Sequence, residues 1–296
     1  MLRRVCVLVL VLATILPGAA AAQAPAPVPP LPEPRQDPAA QQPPAAPAEP
    51  ERNDPDVLID ALQPDFNLAA LPTTLRMPAG KWAFRVTHRF TRDLGQGDFG
   101  DLASDLFGLD GGSQIGLEVR VGLRPGTQLG IHRTSDRSIQ LFAQQNMMNE
   151  RDGGRLGLDA IVTLEGSDNL QEHHRSALGL IASKNIGRRA ALYVEPIVVF
   201  NANPFEVGDE HTAMIGLGGR FRARPSLYLM AEYTPRIAGY RPFADQIAVA
   251  IESRAGGHLF QICAGNGFGT TLGQLAGGGV DYDTWFLGFH ISRKFF

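Results

Sequence analysis

From Lys81 onward the chain alternates between apolar and polar positions with period two. In residues 81–90, Trp82, Phe84, Val86, His88 and Phe90 share one face, and Lys81, Ala83, Arg85, Thr87 and Arg89 the other. In 114–123, Ile115, Leu117, Val119, Val121 and Leu123 oppose Gln114, Gly116, Glu118, Arg120 and Gly122. Arg124-Pro125-Gly126-Thr127 makes a tight turn, after which Leu129 and Ile131 resume the pattern. It recurs at 138–145, 155–164, 176–184, 190–200, 212–222, 226–234, 246–252, 257–264 and 284–295. Successive side chains on a strand point to opposite faces, so one face meets an apolar medium and the other a polar one. About 12 segments of roughly 8–11 residues result, near the length a tilted strand needs to cross a bilayer.

A soluble sandwich alternates too, so the residues opposite the apolar stripe decide between the two folds. Here they mix charge with glycine: Gly116, Glu118, Arg120 and Gly122, then Gly216, Gly218, Arg220 and Arg222. Glycine weakens a solvated strand face but suits a lumen where opposite walls crowd together. Aromatics gather near strand ends (Trp82, Phe90, Tyr228, Tyr233, Trp285, Phe295), as interfacial girdles do. The fold class predicted is all-β, an antiparallel transmembrane β-barrel of about 12 strands over residues 81–296.

The segment WFLGFHISRKFF (285–296) is the closing strand of such a barrel. Trp285, Leu287, Phe289, Ile291 and Phe295 form its lipid stripe, interrupted by Arg293, which can snorkel to the headgroups. Phe296 stands one residue beyond the phase. A strand of this kind is the expected contact with the barrel assembly machinery, and outer-membrane lipid is the expected surround.

The N-terminal residues give the compartment. Arg3-Arg4, the apolar stretch 5–16, Pro17-Gly18 and Ala20-Ala21-Ala22 read as a cleaved signal peptide over 1–22. Residues 23–56 form a Pro/Ala-rich leader, with 11 of the 22 prolines between Gln23 and Pro50. Such a sequence buries too little apolar surface to order itself, and it offers a tether toward periplasmic or cell-wall components. In 57–80, Val57, Leu58, Ala61 and Leu62 have helical spacing, which predicts a short helix capping one barrel mouth, limited by Pro64 and Pro72.

Composition then removes alternatives. The charge of −3 shows no basic stripe for nucleic acid. Glycine, at 33 of 296, is about 11% against a usual share near 7%. Cys6 falls in the signal peptide, so Cys263 has no partner for a disulfide.

Several blocks resemble an outer-membrane β-barrel family known only as a domain of unknown function. They are Met77-Pro78-Ala79-Gly80 leading to Phe84 and His88-Arg89-Phe90, then Asp105-Leu106-Phe107-Gly108-Leu109-Asp110-Gly111-Gly112. Glu232-Tyr233-Thr234-Pro235, Gly256-Gly257-His258-Leu259-Phe260-Gln261 and Gly288-Phe289-His290-Ile291-Ser292-Arg293 follow in order. The resemblance covers about residues 77–296 and implies the fold and the outer membrane, without a substrate.

Candidate chemistry is sparse. His173-His174 lies between strand signals, and adjacent residues of an extended chain point apart, so they do not share a metal. His88 belongs to the apolar stripe, His258 and His290 to neighbouring segments, and His132 and His211 have no spaced partners. No CxxCH and no GxSxG are present. Neither an enzyme nor a cofactor or metal is expected.

Glu118, Glu195, Glu232 and Glu252 with Arg85, Arg89, Arg120, Arg220 and Arg222 are expected to pair inside a narrow lumen. Residues 105–112 are too apolar for a solvated loop. They are expected to fold inward as a constriction, with Phe107 in the pore and Asp110 near Arg85, Arg89 or Arg120. The function expected is a narrow channel or transporter for small solutes. The alternative is a non-conducting scaffold that anchors periplasmic partners through its leader.

Overall fold

The computed structural model describes residues 60–296 apart from 206 and 207. The expected signal peptide and leader therefore lie outside the described residues. Among those described, no helix is long and apolar enough to cross a membrane, and strands do the crossing.

The elements are β1 (Trp82–Asp93), α1 (Phe99–Ser104), β2 (Ser113–Arg124), β3 (Thr127–Thr134), β4 (Ile139–Met148) and β5 (Gly157–Gly166). β6 (Glu172–Ile186), β7 (Ala190–Phe200), β8 (Thr212–Arg224), β9 (Leu227–Thr234), β10 (Arg236–Gly239), β11 (Gln246–Ala255) and β12 (His258–Gly265) follow. The last are α2 (Leu272–Gly277) and β13 (Phe286–Phe295). Each strand pairs antiparallel with its neighbours, β9 pairs with both β8 and β11, and β13 returns to β1, closing the sheet. Among the described residues this is a barrel of 12 long strands. β10 only continues β9 past Pro235, an imino residue that cannot donate to the ladder, and rejoins β8 with a shifted register.

The closing register pairs Trp82 with Phe295 and Val86 with Ile291. Trp82 and Phe295 stack with centroids 3.9 Å apart, an aromatic girdle at the end where strands begin and finish. The turns at 124–127, 186–190, 224–227 and 255–258 share this end and are short, which marks it as the periplasmic side.

The faces fall as the alternation requires. Ile115, Leu117, Val119 and Val121 point out to lipid, while Gly116, Glu118, Arg120 and Gly122 point inward. On β13, Leu287, Phe289 and Ile291 face out and His290, Ser292 and Lys294 are buried inside. Arg293 stays on the lipid side, its guanidinium 5.0 Å from the Phe295 ring centroid and hydrogen-bonded to His258.

Of the cap expected over 57–80, with a helix through Val57, Leu58, Ala61 and Leu62, residues 57–59 lie outside the described residues. Residues 60–80 contain no helix. They form a hairpin that enters the lumen from the periplasmic end and returns: Thr73 N–H donates to the Phe66 carbonyl at 2.7 Å, Asn67 pairs with Pro72, and Leu68 N–H donates to the Leu71 carbonyl at 2.8 Å. Pro64 and Pro72 account for the lack of helix across the described part. The first removes a donor and biases residue 63 away from helix, and the second ends any helix the Leu-Ala-Ala-Leu tip could start.

Candidate functional site

The hairpin tip, Leu68-Ala69-Ala70-Leu71, lies at full burial inside the barrel. A buried tip exposes main-chain groups that must find partners, and lumen side chains from around the wall supply them. The Ala69, Ala70 and Leu71 amides all donate to the Glu232 carboxylate, at 3.0, 3.0 and 3.2 Å. Successive amides converging on one anion form a nest. From β1, Arg85 Nη2 donates to the Leu68 and Ala69 carbonyls, both at 2.9 Å. From β8, Arg220 Nη2 reaches the Asn67 carbonyl at 3.0 Å, and from β2, Arg120 Nη2 reaches Asn67 Oδ1 at 3.0 Å. Gln144 on β4 donates to the Thr73 carbonyl at 2.8 Å. Lys294 on β13 pairs with Asp65 at 2.9 Å. Partners on β1, β2, β4, β8, β9 and β13 surround the hairpin on all sides.

The wall network that holds these groups is itself paired. Arg220 meets Glu252 through two parallel bonds, 2.6 and 2.9 Å, a bidentate geometry with both side chains wholly buried. Arg120 pairs with Glu118 at 3.0 Å and lies over the Phe66 and Phe142 rings. Arg85 also bonds His290, and Arg89 bonds the Cys263 sulfur, so the free cysteine is enclosed in the lumen.

Glycine on the lumen face makes room for the hairpin. A Cβ at Gly218 would meet Leu68 Cδ1 at 2.2 Å, and one at Gly216 would meet Leu71 Cδ2 at 2.7 Å. A Cβ at Gly122 would meet the Pro78 carbonyl oxygen at 2.2 Å, where the chain leaves the hairpin. Phe296, out of phase with the lipid stripe, is in phase with the lumen side of β13. It packs against Phe66, Leu75, Met77 and Ala83.

From the opposite end, the connection between β12 and β13 folds inward through α2. Arg175 donates to the Gly273 carbonyl at 3.0 Å, and Arg236 donates to the Gly277 carbonyl at 3.1 Å. Leu272, Leu275 and Ala276 join Leu68, Leu71, Met214 and Ile197 in one apolar core.

The structure brings Arg85, Arg89, Glu118, Arg120, Arg220, Glu232 and Glu252 together inside the lumen, all buried. It does not do so for three of the expected residues. Arg222 bonds the Pro225 carbonyl at the rim. Phe107 packs edge-on against Phe99 of α1, centroids 6.0 Å apart, while Leu106 and Leu109 are exposed. Asp110 is exposed, and the ion pair of that connection is Arg92 with Asp105 at 2.8 Å. Residues 105–112 therefore do not enter the lumen: Phe107 packs on Phe99 of α1, Leu106 and Leu109 stay exposed, and the lumen is occupied by the hairpin.

Sequence reasoning missed Asp65, Asn67, Gln144 and Lys294. For Gln144 and Lys294 the signal was their place on the inward phase of β4 and β13, while Asp65 and Asn67 lie in the hairpin, outside any alternation.

Three solved structures resemble the barrel in part. An outer membrane channel from Pseudomonas putida F1 is 13% identical over 74% of this chain and 97% of that one, with a TM-score of 0.44. The NanC porin is 8% identical over 73% and 99%, TM-score 0.46. The Acinetobacter baumannii outer membrane protein Omp33 is 10% identical over 73% and 98%, TM-score 0.42. No curated protein matches the chain significantly. The model of a family described as a membrane bound beta barrel domain, DUF5777, matches residues 65–295. That span begins inside the hairpin and runs through the closing strand, and the chain belongs to this family of membrane-bound β-barrels.

Proposed function

We propose that the protein is a narrow outer-membrane channel for small polar solutes, without enzymatic activity, whose resting state is closed by its own N-terminal hairpin. The observation that carries the reading is the mode of attachment. Glu232, Arg85, Arg120, Gln144 and Lys294 each bond the hairpin, so its departure would leave a ring of charged and amide groups facing the emptied lumen beneath α2. A barrel meant only as a scaffold has a cheaper filling in apolar side chains, since buried ion pairs seldom outperform them. The described hairpin starts at Asp60, whose carboxylate pairs with Arg151 of the connection between β4 and β5 at 3.1 Å, so it is entered from the periplasmic mouth.

The test is permeability of vesicles carrying the intact chain or a variant lacking residues 61–76, with folding checked by heat-modifiable gel migration. The intact protein should leave vesicles nearly tight to small charged solutes, and the folded deletion should render them leaky. A folded deletion as tight as the intact chain supports the alternative, a barrel that anchors partners without conducting.

A further inference from the structure

The hairpin tip shows what the lumen is built to hold. Around Ala69 the wall offers one acceptor and one donor: the amide faces the Glu232 carboxylate at 3.0 Å and the carbonyl faces Arg85 Nη2 at 2.9 Å. The nitrogen and carbonyl oxygen of one residue are separated as the ammonium and carboxylate of a free α-amino acid are. A second observation is independent of the hairpin. Glu195, wholly buried on β7 near Glu232, has no hydrogen-bond partner on either carboxyl oxygen among the described residues. Arg85 Nη1 and Nε are likewise unused. The hairpin thus satisfies only part of the site. Three tip amides already bring three protons to Glu232, and two tip carbonyls bring two oxygens to Arg85 Nη2. What they leave open is the Glu195 carboxyl and Arg85 Nη1 and Nε, which an ammonium, with three protons to place, and a carboxylate, with two oxygens, can engage together.

We infer that, once the hairpin withdraws, the lumen binds zwitterionic α-amino acids, with the ammonium between Glu232 and Glu195 and the carboxylate on Arg85. The side chain class follows from β8. Gly216 and Gly218 leave spaces that Leu71 and Leu68 now fill, so an aliphatic chain of leucine size fits beside the charged ends. The hairpin is then a tethered mimic of the solute, displaced by it through mass action. This inference rests on the reading of the hairpin as a removable gate.

The experiment uses the full chain with Ala70→Cys, reconstituted in vesicles, and follows labelling of that cysteine by a thiol reagent. Native Cys263 is replaced by Ser so that only the tip reports. Leucine should raise the labelling rate in a saturable way, while isoamylamine and isocaproate, each carrying one of its two charges, should not. Adding Glu195→Gln, which removes one carboxyl oxygen as an acceptor for the ammonium, should weaken the apparent affinity for leucine by about tenfold. No response to leucine, or an equal response to the amine or the acid alone, overturns the inference. Labelling and permeability are separate readouts. Leucine-dependent labelling in a tight vesicle would keep the site and remove the channel, and a leaky hairpin deletion without a leucine response would do the reverse.

Discussion

Lys294 Nζ lies 2.9 Å from Asp65 Oδ1 inside the barrel, with both side chains buried, so the closing strand is tied directly to the hairpin that fills the lumen. Ser292 adds a hydrogen bond to the same oxygen at 2.9 Å. Removing one member of a buried pair leaves the other charge uncompensated, a loss of about 3–5 kcal/mol. Lys294→Met should therefore increase labelling of a hairpin cysteine strongly. Lys294→Met with Asp65→Asn should recover most of the docking, because no lone charge remains. A double variant as loose as the single would show that the pair is not what fastens the hairpin.

The same pair sets a pH dependence. Burial alone would raise the Asp65 carboxyl, but the Lys294 ammonium and then Arg85 outweigh it and hold the group below the usual aspartate range. A carboxyl depressed in the folded state contributes stability above its unfolded value, near 3.9, and loses it as pH falls through the folded value. Hairpin labelling should stay flat from pH 7 to about 5 and rise only below about 4. Release near neutrality would place the controlling group elsewhere.

Gly122 offers a steric test that touches no charge. Its missing Cβ leaves space for the Pro78 carbonyl oxygen, main chain that cannot rotate away as the Leu68 side chain beside Gly218 can. Gly122→Ala should push the exit of the hairpin outward and raise its protease sensitivity. Gly277→Ala, where nothing lies within 4 Å, should leave it unchanged. Equal sensitivity in both would mean the close approach is not tight in solution.

Arg220 and Glu252 join the hairpin to the wall's own cohesion. The pair is bidentate, and Arg220 also holds the Asn67 carbonyl. Glu252→Ala should lower the temperature at which the barrel loses its fast gel migration, by more than Glu118→Ala, whose Arg120 keeps Asn67 and Gln144. The reverse order would assign the stronger role to the Glu118 pair.

What the chain discloses follows from which interactions are periodic. The strands and their inward phase are written in the alternation, because lipid and lumen impose opposite demands at every second residue. Arg85, Glu118, Arg220 and Glu252 were therefore legible as lumen residues, but their partners were not, since pairing across a barrel depends on register. The hairpin left no periodic trace. Its contacts run mainly from side chains to main chain, and Leu68 to Leu71 reads like any short apolar stretch between prolines. Residues 105–112 misled for the complementary reason: Phe107 satisfies its apolar surface on Phe99 within the same connection, with no need of the lumen.

The central claim is that residues 60–77 close the barrel, and single-channel recording in planar bilayers tests it most directly. The intact chain should be silent, or flicker rarely, across the voltage range, while the folded variant lacking residues 61–76 should show discrete, sustained openings. An intact chain that conducts as steadily as the deletion would contradict the account, because the path would then run past a hairpin said to block it.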